Sequence, residues 1–265
     1  TKFAARLVEK DYFASVLLEF LAQADPTLVF KGGTCLAKVY ADFFRMSEDL
    51  DFTIPLRAEA PQSERSRSAA RAKKAMESLP RKIPAFRLIQ PLKGANSSRQ
   101  YVGIVEYQSL LALDSETLKV EVGLREPLFQ DAVPLPARTL LLDPVSRGPI
   151  VPTFDVRSIS KKEAFAEKFR AALTRRDVAI RDFFDIDFAV RKGHLRPFDA
   201  EIVSFVAKKL SIPGNDPMDV SDERLGELRN QLDPQLKAVL RPADYATFDL
   251  DRACQTVVEM AKRLA

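Results

Sequence analysis

Apolar and polar positions follow a helical period and then a strand period in the first part of the chain. Over residues 4–23, apolar side chains recur at helical spacing and predict an amphipathic helix. Asp25 and Pro26 end that helix, and the apolar residues 28–30 predict a short buried strand. A Gly-Gly-Thr turn comes next, and its threonine can cap a further helix over 34–44. The chain is therefore expected to begin as helix, strand, turn and helix.

Strict alternation replaces the helical spacing after this helix. Asp49 and Asp51 alternate with Leu50 and Phe52. Because successive side chains of a strand point to opposite faces, a strand here directs both carboxylates to one side. Downstream, the pattern predicts a basic helix over 62–79, strands over 85–89, 100–107 and 117–122, and a hairpin loop over 93–99.

The second part of the chain is helical in pattern. A passage with six prolines, 127–152, predicts an irregular connection and a domain boundary. Ser160 and Glu163 fit a capping box that opens a helix to about residue 173. Further helices are predicted over 176–190, 197–210, 221–232 and 248–264. We therefore predict an α/β (α+β) domain with a mixed sheet over residues 1–150 and a helical domain over 151–265.

The charge of the chain is slightly basic and unevenly distributed. Lys and Arg number 41 against 37 Asp and Glu, which gives a net charge of +4. Seven basic residues lie within 63–82 and eight within 157–181. Clustered positive charge is typical of a polyanion-binding face, and a solvated helix face is the alternative interpretation of each cluster.

Histidine and cysteine usage excludes several kinds of site. His194 is the only histidine, which excludes multi-histidine metal sites and leaves Ser-His-Asp catalysis only if His194 is the base. Cys35 and Cys254 are too few and too far apart for a disulfide framework or a zinc site. Oxygen ligands must hold any metal. No apolar run approaches the roughly 18 residues of a membrane span, and residues 1–13 lack a signal-peptide core, so a cytoplasmic protein is expected.

The carboxylate pair at Asp49 and Asp51 suggests metal chemistry. Two carboxylates on one strand face repel each other unless a cation lies between them, and Mg²⁺ accepts a few carboxylates together with substrate phosphates. Glu121 is the best third carboxylate, with Lys119 on the same face of its short strand. An exposed strand residue is the alternative interpretation of Glu121, and Glu116 lies nearby. The glycine turn exposes backbone N–H groups that a phosphate can approach.

Three blocks in the first part of the chain carry a family resemblance. They are Glu-Lys-Asp-Tyr at 9–12, Phe-Lys-Gly-Gly-Thr-x-Leu at 30–36 and Arg-x-Ser-x-Asp-Leu-Asp-Phe at 45–52. Together they closely resemble the AbiEii/AbiGii toxin family of the polymerase-β-like nucleotidyltransferase superfamily. A helical lysine, Lys168, followed by Arg-Asp-Phe-Phe-Asp at 181–185, continues the resemblance. The resemblance covers roughly residues 5–190. The family includes mycobacterial toxins that modify tRNA.

The resemblance implies roles for individual residues. The metal ligands it implies for Mg²⁺ are Asp49, Asp51 and Glu121. The nucleotide-binding residues it implies are Gly33, Thr34, Arg45, Ser47 and Lys168. Asp182 is implied as a further catalytic residue, together with Asp49, Asp51 and Lys168, and Asp185 is its alternative. The expected active site lies in a cleft to which both halves contribute.

The resemblance also implies an activity and partners. The expected protein is a toxin nucleotidyltransferase that transfers NMP from an NTP to the 3′ end of tRNA, blocks translation, and is controlled by a cognate antitoxin. The basic runs would hold the tRNA backbone, and Tyr101, Tyr107 or Phe129 could stack on a splayed base. Two alternatives are nucleotidylation of a protein or small molecule, and a catalytically silent module that binds nucleic acid or a partner.

Overall fold

The chain folds into two compact units. In the computed structural model, which describes residues 3–265, these units are Thr1–Ser160 and Lys161–Ala265. The boundary therefore falls ten residues after the predicted position at residue 150, because the strand Phe154–Ser158 pairs within the sheet of the first unit. Among residues 3–265, no helix combines the length and the apolar composition needed to span a membrane.

Over its described residues, from 3 to 160, the first unit contains a mixed seven-stranded sheet and four α-helices. The helices are α1 (Ala5–Ala24), α2 (Gly32–Cys35), α3 (Gln62–Ser68) and α4 (Ala70–Lys82). The strands are β1 (Val29–Lys31), β2 (Leu50–Thr53), β3 (Phe86–Ala95), β4 (Gln100–Gln108), β5 (Ser115–Gly123), β6 (Val133–Ala137) and β7 (Phe154–Ser158). Their order across the sheet is β3-β4-β5-β2-β1-β7-β6. The predicted mixed sheet is confirmed.

The centre of the sheet brings distant parts of the sequence together. β2 pairs antiparallel with β1 and parallel with β5, so it lies between the turn after β1 and the third carboxylate-bearing strand. Leu50 and Phe52 of β2 are almost fully buried. Since these two residues anchor one face of β2 in the core, Asp51 is held on the opposite face.

The helix after the glycine turn is shorter and looser than predicted. Regular α2 is followed by a π-helical turn at Leu36–Tyr40, and helical structure ends there rather than at residue 44. Asp42 and Phe43 have φ angles of 47° and 54°, in the left-handed region, which reverses the chain. The reversal returns the chain to the start of β2, so that Asp49 and Asp51 come back to the glycine turn.

The proline-rich passage contains a strand that sequence pattern did not predict. β6 carries Pro134 and Pro136 and pairs antiparallel with β7 at one edge of the sheet. Proline lacks a backbone N–H and is tolerated in sheets mainly on edge strands. The expectation of a wholly irregular connection over 127–152 is therefore wrong for residues 133–137.

A buried ion pair joins α1 to the segment after the glycine turn. The Lys38 ammonium, which is 1% exposed, donates to Asp11 Oδ1 at 2.5 Å and to Ser15 Oγ at 2.7 Å. Asp11 Oδ2 accepts from the hydroxyl of Thr139 and the backbone N–H of Leu140. Burial lowers the pKa of Lys38, against the effect of Asp11. Asp11, one of the charged residues of the 9–12 block, therefore has a structural role.

The second unit is helical, as the pattern predicted. Its longer α-helices are α5 (Lys161–Thr174), α6 (Ile180–Arg191), α7 (Ala200–Leu210) and α8 (Asp222–Gln231), followed by the short α9 (Pro242–Thr247) and the terminal α10 (Leu250–Leu264). Lys209 of α7 is fully buried and lies 2.8 Å from Glu163 and 3.2 Å from Glu167 of α5. This paired charge fixes the register of α5 against α7.

Candidate active site

The pairing of β2 with β5 places two of the predicted carboxylates side by side. Asp51 is directly opposite Glu121 in the parallel register, and Leu50 is opposite Val120. In-register residues on neighbouring strands share a face, so both carboxylates lie on one side of the sheet. Glu116 lies near the other end of β5, where it pairs with Arg6, and Lys10 is 3.9 Å away. The register therefore selects Glu121 over Glu116 as the neighbour of Asp51.

Lys119 occupies the space between two carboxylates of this face. Its ammonium is 3.3 Å from Asp49 Oδ2 and 2.7 Å from Glu121 Oε1. Gln100 of β4 donates to the other oxygen of Glu121 at 2.9 Å. Partial burial lowers the pKa of Lys119, but hydrogen bonds and charges from Glu121 and Asp49 outweigh it and raise that pKa above its usual value. Lys119 is thus held as a cation.

The glycine turn lies directly against the carboxylates. Gly32 has a φ of +73°, and a Cβ built on it would lie 2.9 Å from Cβ and Cγ of Asp51 and closer still to its Oδ2. A Cβ on Gly33 would lie 3.1 Å from Cζ of Arg45 and 3.3 Å from Oγ of Ser47. Both glycines therefore permit contacts that any side chain would block.

Two of the predicted nucleotide-binding residues have structural partners. Thr34 is 2% exposed, and its hydroxyl donates to the backbone oxygen of Asp49 at 2.5 Å, so it ties the turn to the segment before β2 instead of capping a helix. Arg45 is also 2% exposed; it donates to the backbone oxygen of Met46 at 2.9 Å and lies over the ring of Phe44. Ser47 is half-buried beside Gly33. Phosphate contacts by these residues stay predictions.

The chemistry of the donor set fits a divalent cation. Asp49, Asp51 and Glu121 supply hard oxygen ligands on one face, and a lysine ammonium already compensates their charge. Within the described part of the chain, no three His, Cys, Asp or Glu side chains converge closely enough to form a metal site. The carboxylates would have to close around an ion, and Lys119 would have to move.

A second charged cluster lies in the helical unit. Lys168 of α5 is 2.7 Å from Asp182 Oδ1 and 2.8 Å from Asp185 Oδ2 on α6. Asp185 is fully buried, whereas Asp182 is slightly exposed and also accepts from Arg175 at 3.1 Å. Both alternatives left open by the sequence contact Lys168, and the more accessible Asp182 is the better placed to meet a ligand.

Removing the charge of Lys168 has a predictable effect on folding. Lys168→Met removes the cation that contacts both Asp182 and Asp185, and breaking a buried ion pair costs several kcal/mol. We expect the free energy of unfolding to fall by about 3 kcal/mol, measured by urea denaturation. Lys168→Arg should recover most of it, and Lys262→Met, at an exposed lysine of α10, is the matched control. Equal stability of Lys168→Met and Lys262→Met would contradict the prediction.

Comparison with known proteins agrees with these observations. The family model described as nucleotidyl transferase AbiEii toxin, Type IV TA system, matches residues 16–259. This chain belongs to the AbiEii family of nucleotidyltransferase toxins. The match spans both units and includes both charged clusters. No curated protein matches the sequence significantly.

Solved structures share the fold of this AbiEii-family chain. JHP933 from Helicobacter pylori is 18% identical over 99% of this chain and 93% of its own, with a TM-score of 0.57. A putative nucleotidyltransferase from H. pylori is also 18% identical, over 99% and 96% of the two chains, with a TM-score of 0.58. The Mycobacterium tuberculosis toxin MenT4 aligns with 19% identity over 96% and 92%, at a TM-score of 0.42. The first two show the fold.

Several candidate RNA-contacting residues are part of the core of this AbiEii-family protein. Arg65 is buried and donates to the backbone oxygen of Ser97 at 2.9 Å. Tyr101 and Tyr107 are each 1% exposed, and Tyr107 stacks on Phe13. The expectation that either tyrosine stacks on a splayed base is therefore wrong. The remaining exposed basic residues of the first cluster are Arg67, Arg71, Lys74, Arg81 and Lys82.

Two contacts at the carboxylates are not predicted by the sequence pattern. Gln100 orients Glu121 from the adjacent strand, and Gly32, more than Gly33, makes room for Asp51. Lys119 was placed on the face of Glu121 by alternation alone, without a role. The Lys-x-Glu spacing on one strand face is the signal that pointed to a contact between them.

Proposed function

We propose that this AbiEii-family toxin is a magnesium-dependent nucleotidyltransferase that transfers NMP from an NTP to the 3′ end of tRNA. Blocking that end would stop aminoacylation and hence translation in the cytoplasm, and a cognate antitoxin would restrain the activity. The observation that carries the proposal is the register of Asp51 with Glu121, with Asp49 beside them and the Gly32-Gly33 turn against them.

The residues of this face have defined tasks in such a reaction. The acceptor hydroxyl attacks the α-phosphorus and gives up its proton to solvent, the bond between the α-phosphorus and the oxygen bridging to the β-phosphate breaks, and pyrophosphate leaves. Asp49, Asp51 and Glu121 would hold Mg²⁺, which stabilises the attacking and leaving oxygens when bound. Gly33 and the half-buried Ser47 lie on the same side of the turn and would contact phosphate oxygens, with Thr34 and Arg45 supporting the turn from within the core.

Lys168, a predicted site residue of the helical unit, has its own proposed role. We propose that Lys168 neutralises the triphosphate or the leaving pyrophosphate as a point charge. Asp182 would orient Lys168, which it contacts at 2.7 Å. Lys168→Arg separates folding from activity: it should retain stability while nucleotide transfer falls, because a guanidinium does not reproduce the compact geometry of an ammonium.

Basic surface supports an RNA acceptor. Five basic residues of α3 and α4 are exposed: Arg67, Arg71, Lys74, Arg81 and Lys82. A cavity of about 330 Å³ in the helical unit is lined by Lys161, Lys162, His194 and Arg196, together with Asp199. Positive side chains on such surfaces neutralise phosphates without reading bases. An acidic protein would also fit, so nucleotidylation of a protein side chain is the second candidate.

One labelling experiment separates these acceptors. The purified protein is incubated with Mg²⁺, total cellular RNA, total protein and each α-³²P-labelled NTP in turn, and the products are resolved on gels. We expect label in the tRNA fraction, abolished by EDTA and by prior periodate oxidation of the RNA 3′ ends. Label in protein alone would overturn the acceptor, and no label with any NTP would support a non-catalytic binding module instead.

A further inference from the structure

Lys119 is in direct contact with two of the three candidate metal ligands. Its ammonium bridges Asp49 and Glu121 at 3.3 and 2.7 Å. Both carboxylates and the lysine are partly exposed, with 44%, 27% and 41% of their side-chain surface accessible. The bridge is therefore reachable from solvent and can open without unfolding of the sheet.

The bridge and a divalent ion need the same oxygen atoms. An ion coordinated by Asp49 and Glu121 would lie within a few ångströms of the Lys119 ammonium, and like charges at such a distance repel each other. Lys119 must therefore leave the carboxylates before an ion can be coordinated. The flexible four-carbon stem of the lysine makes that movement feasible.

We propose that Lys119 is a counter-ion of the carboxylates that competes with free divalent cations. When an NTP binds, the Lys119 side chain moves from the carboxylates to the phosphates. This inference rests on the proposed function, since it assigns a role to Lys119 in the same site. While no nucleotide is bound, Lys119 neutralises two of the clustered carboxylates and stops them from repelling one another. With a metal–NTP complex bound, Asp49 and Glu121 would hold the ion, and the Lys119 ammonium would pair with a phosphate.

The consequence is a coupling between metal and nucleotide. A free divalent ion must displace Lys119 from the carboxylates, and no other anion then pairs with the Lys119 ammonium. Free ions are therefore expected to bind weakly. A metal–NTP complex brings phosphate oxygens that replace the two carboxylates as partners of Lys119, so the displacement is compensated. Lys119 would thereby favour entry of the metal together with its nucleotide, and it would contact the triphosphate directly.

Metal binding in the absence of nucleotide tests the first half of the proposal. Mn²⁺ binding to wild-type protein and to Lys119→Met is measured by the loss of the free-ion EPR signal. We expect the variant to bind Mn²⁺ about tenfold more tightly, a change of the size given by one or two partly exposed ion pairs. Lys93→Met removes an equal charge from an exposed lysine of β3 and should leave the Mn²⁺ affinity unchanged. Equal or weaker Mn²⁺ binding by Lys119→Met would overturn the proposal.

Nucleotide binding tests the second half. A non-hydrolysable NTP analogue with Mg²⁺ should bind Lys119→Met about as tightly as wild type, measured by equilibrium dialysis, because the phosphate contact compensates for the carboxylate contacts that Lys119 gives up. Analogue binding that tightens about tenfold in the variant, as Mn²⁺ binding does, would overturn the movement of Lys119 to phosphate. Neither measurement depends on turnover: a protein that gives both expected results but labels no acceptor fails the proposed function alone. Label transfer without a Mn²⁺ shift in Lys119→Met fails this inference alone.

Discussion

Asp51→Asn lowers nucleotide transfer by about 10³-fold while the protein stays folded. Asp51 lies at the centre of the carboxylate face, opposite Glu121 and against Gly32. An amide has nearly the same shape but lacks the negative charge that a magnesium ion requires, so the loss falls on the chemistry. The measurement is the initial rate of incorporation of labelled NMP into RNA, at saturating NTP and Mg²⁺.

The control for this substitution is a carboxylate elsewhere in the same sheet. Glu106 of β4 pairs with the exposed Arg87 of β3, and Glu106→Gln removes the same charge by the same isosteric change. We expect its rate to match that of wild type. Thermal unfolding should show Asp51→Asn to be at least as stable as wild type, because it relieves repulsion with its acidic neighbours. An active Asp51→Asn protein would remove the catalytic assignment of this face.

Gly32→Ala abolishes most of the activity through one methyl group. The φ of +73° at Gly32 is a conformation in which an L-residue costs about 1–2 kcal/mol. The added Cβ would also overlap the side chain of Asp51, so Asp51 must shift or the turn must open. We expect transfer to fall by about 10²-fold or more, because displacing a catalytic group by about 1 Å costs that much.

The chain offers a matched control for the backbone strain. Gly214 also has a positive φ, +90°, but a Cβ built there meets nothing within 4 Å. Gly214→Ala should therefore lose a similar 1–2 kcal/mol, about the cost of the left-handed conformation, and keep full activity. Stability is followed by urea denaturation and activity by label transfer. Full activity in Gly32→Ala would show that the contact with Asp51 has no role in transfer.

Local sequence signals account for much of the architecture. Apolar spacing predicted the helix α1, a capping box predicted the start of α5, and alternation predicted β2 and β5. The burial of Glu9, Lys10 and Asp11 in α1 shows that this helix is not simply amphipathic. The π-helical turn at Leu36–Tyr40 and the strand β6 were not predictable in this way. The first depends on a chain reversal held by the core, and the second on an edge that accepts proline.

The candidate site also has features that the local sequence predicts and features that depend on the tertiary structure. The Gly-Gly turn, the Asp49/Asp51 alternation and the Lys168 and Asp182 blocks are contiguous in sequence, so their spacing already indicated nucleotidyltransferase chemistry and a family. Thr34 and Arg45 carry the family pattern too, but their burial depends on how the turn packs. A motif records which residues recur and does not separate those that touch substrate from those that hold the turn.

The contacts that give the site its charge balance belong to the tertiary structure. The pairing of Asp51 with Glu121, the bridge from Lys119 to Asp49 and the donation from Gln100 all depend on strand register. Register is set by how the apolar faces of β2, β4 and β5 pack against the core, which is a long-range property. The chain's chemistry can therefore be inferred from local spacing, whereas the neighbour of each carboxylate is decided only when the sheet assembles.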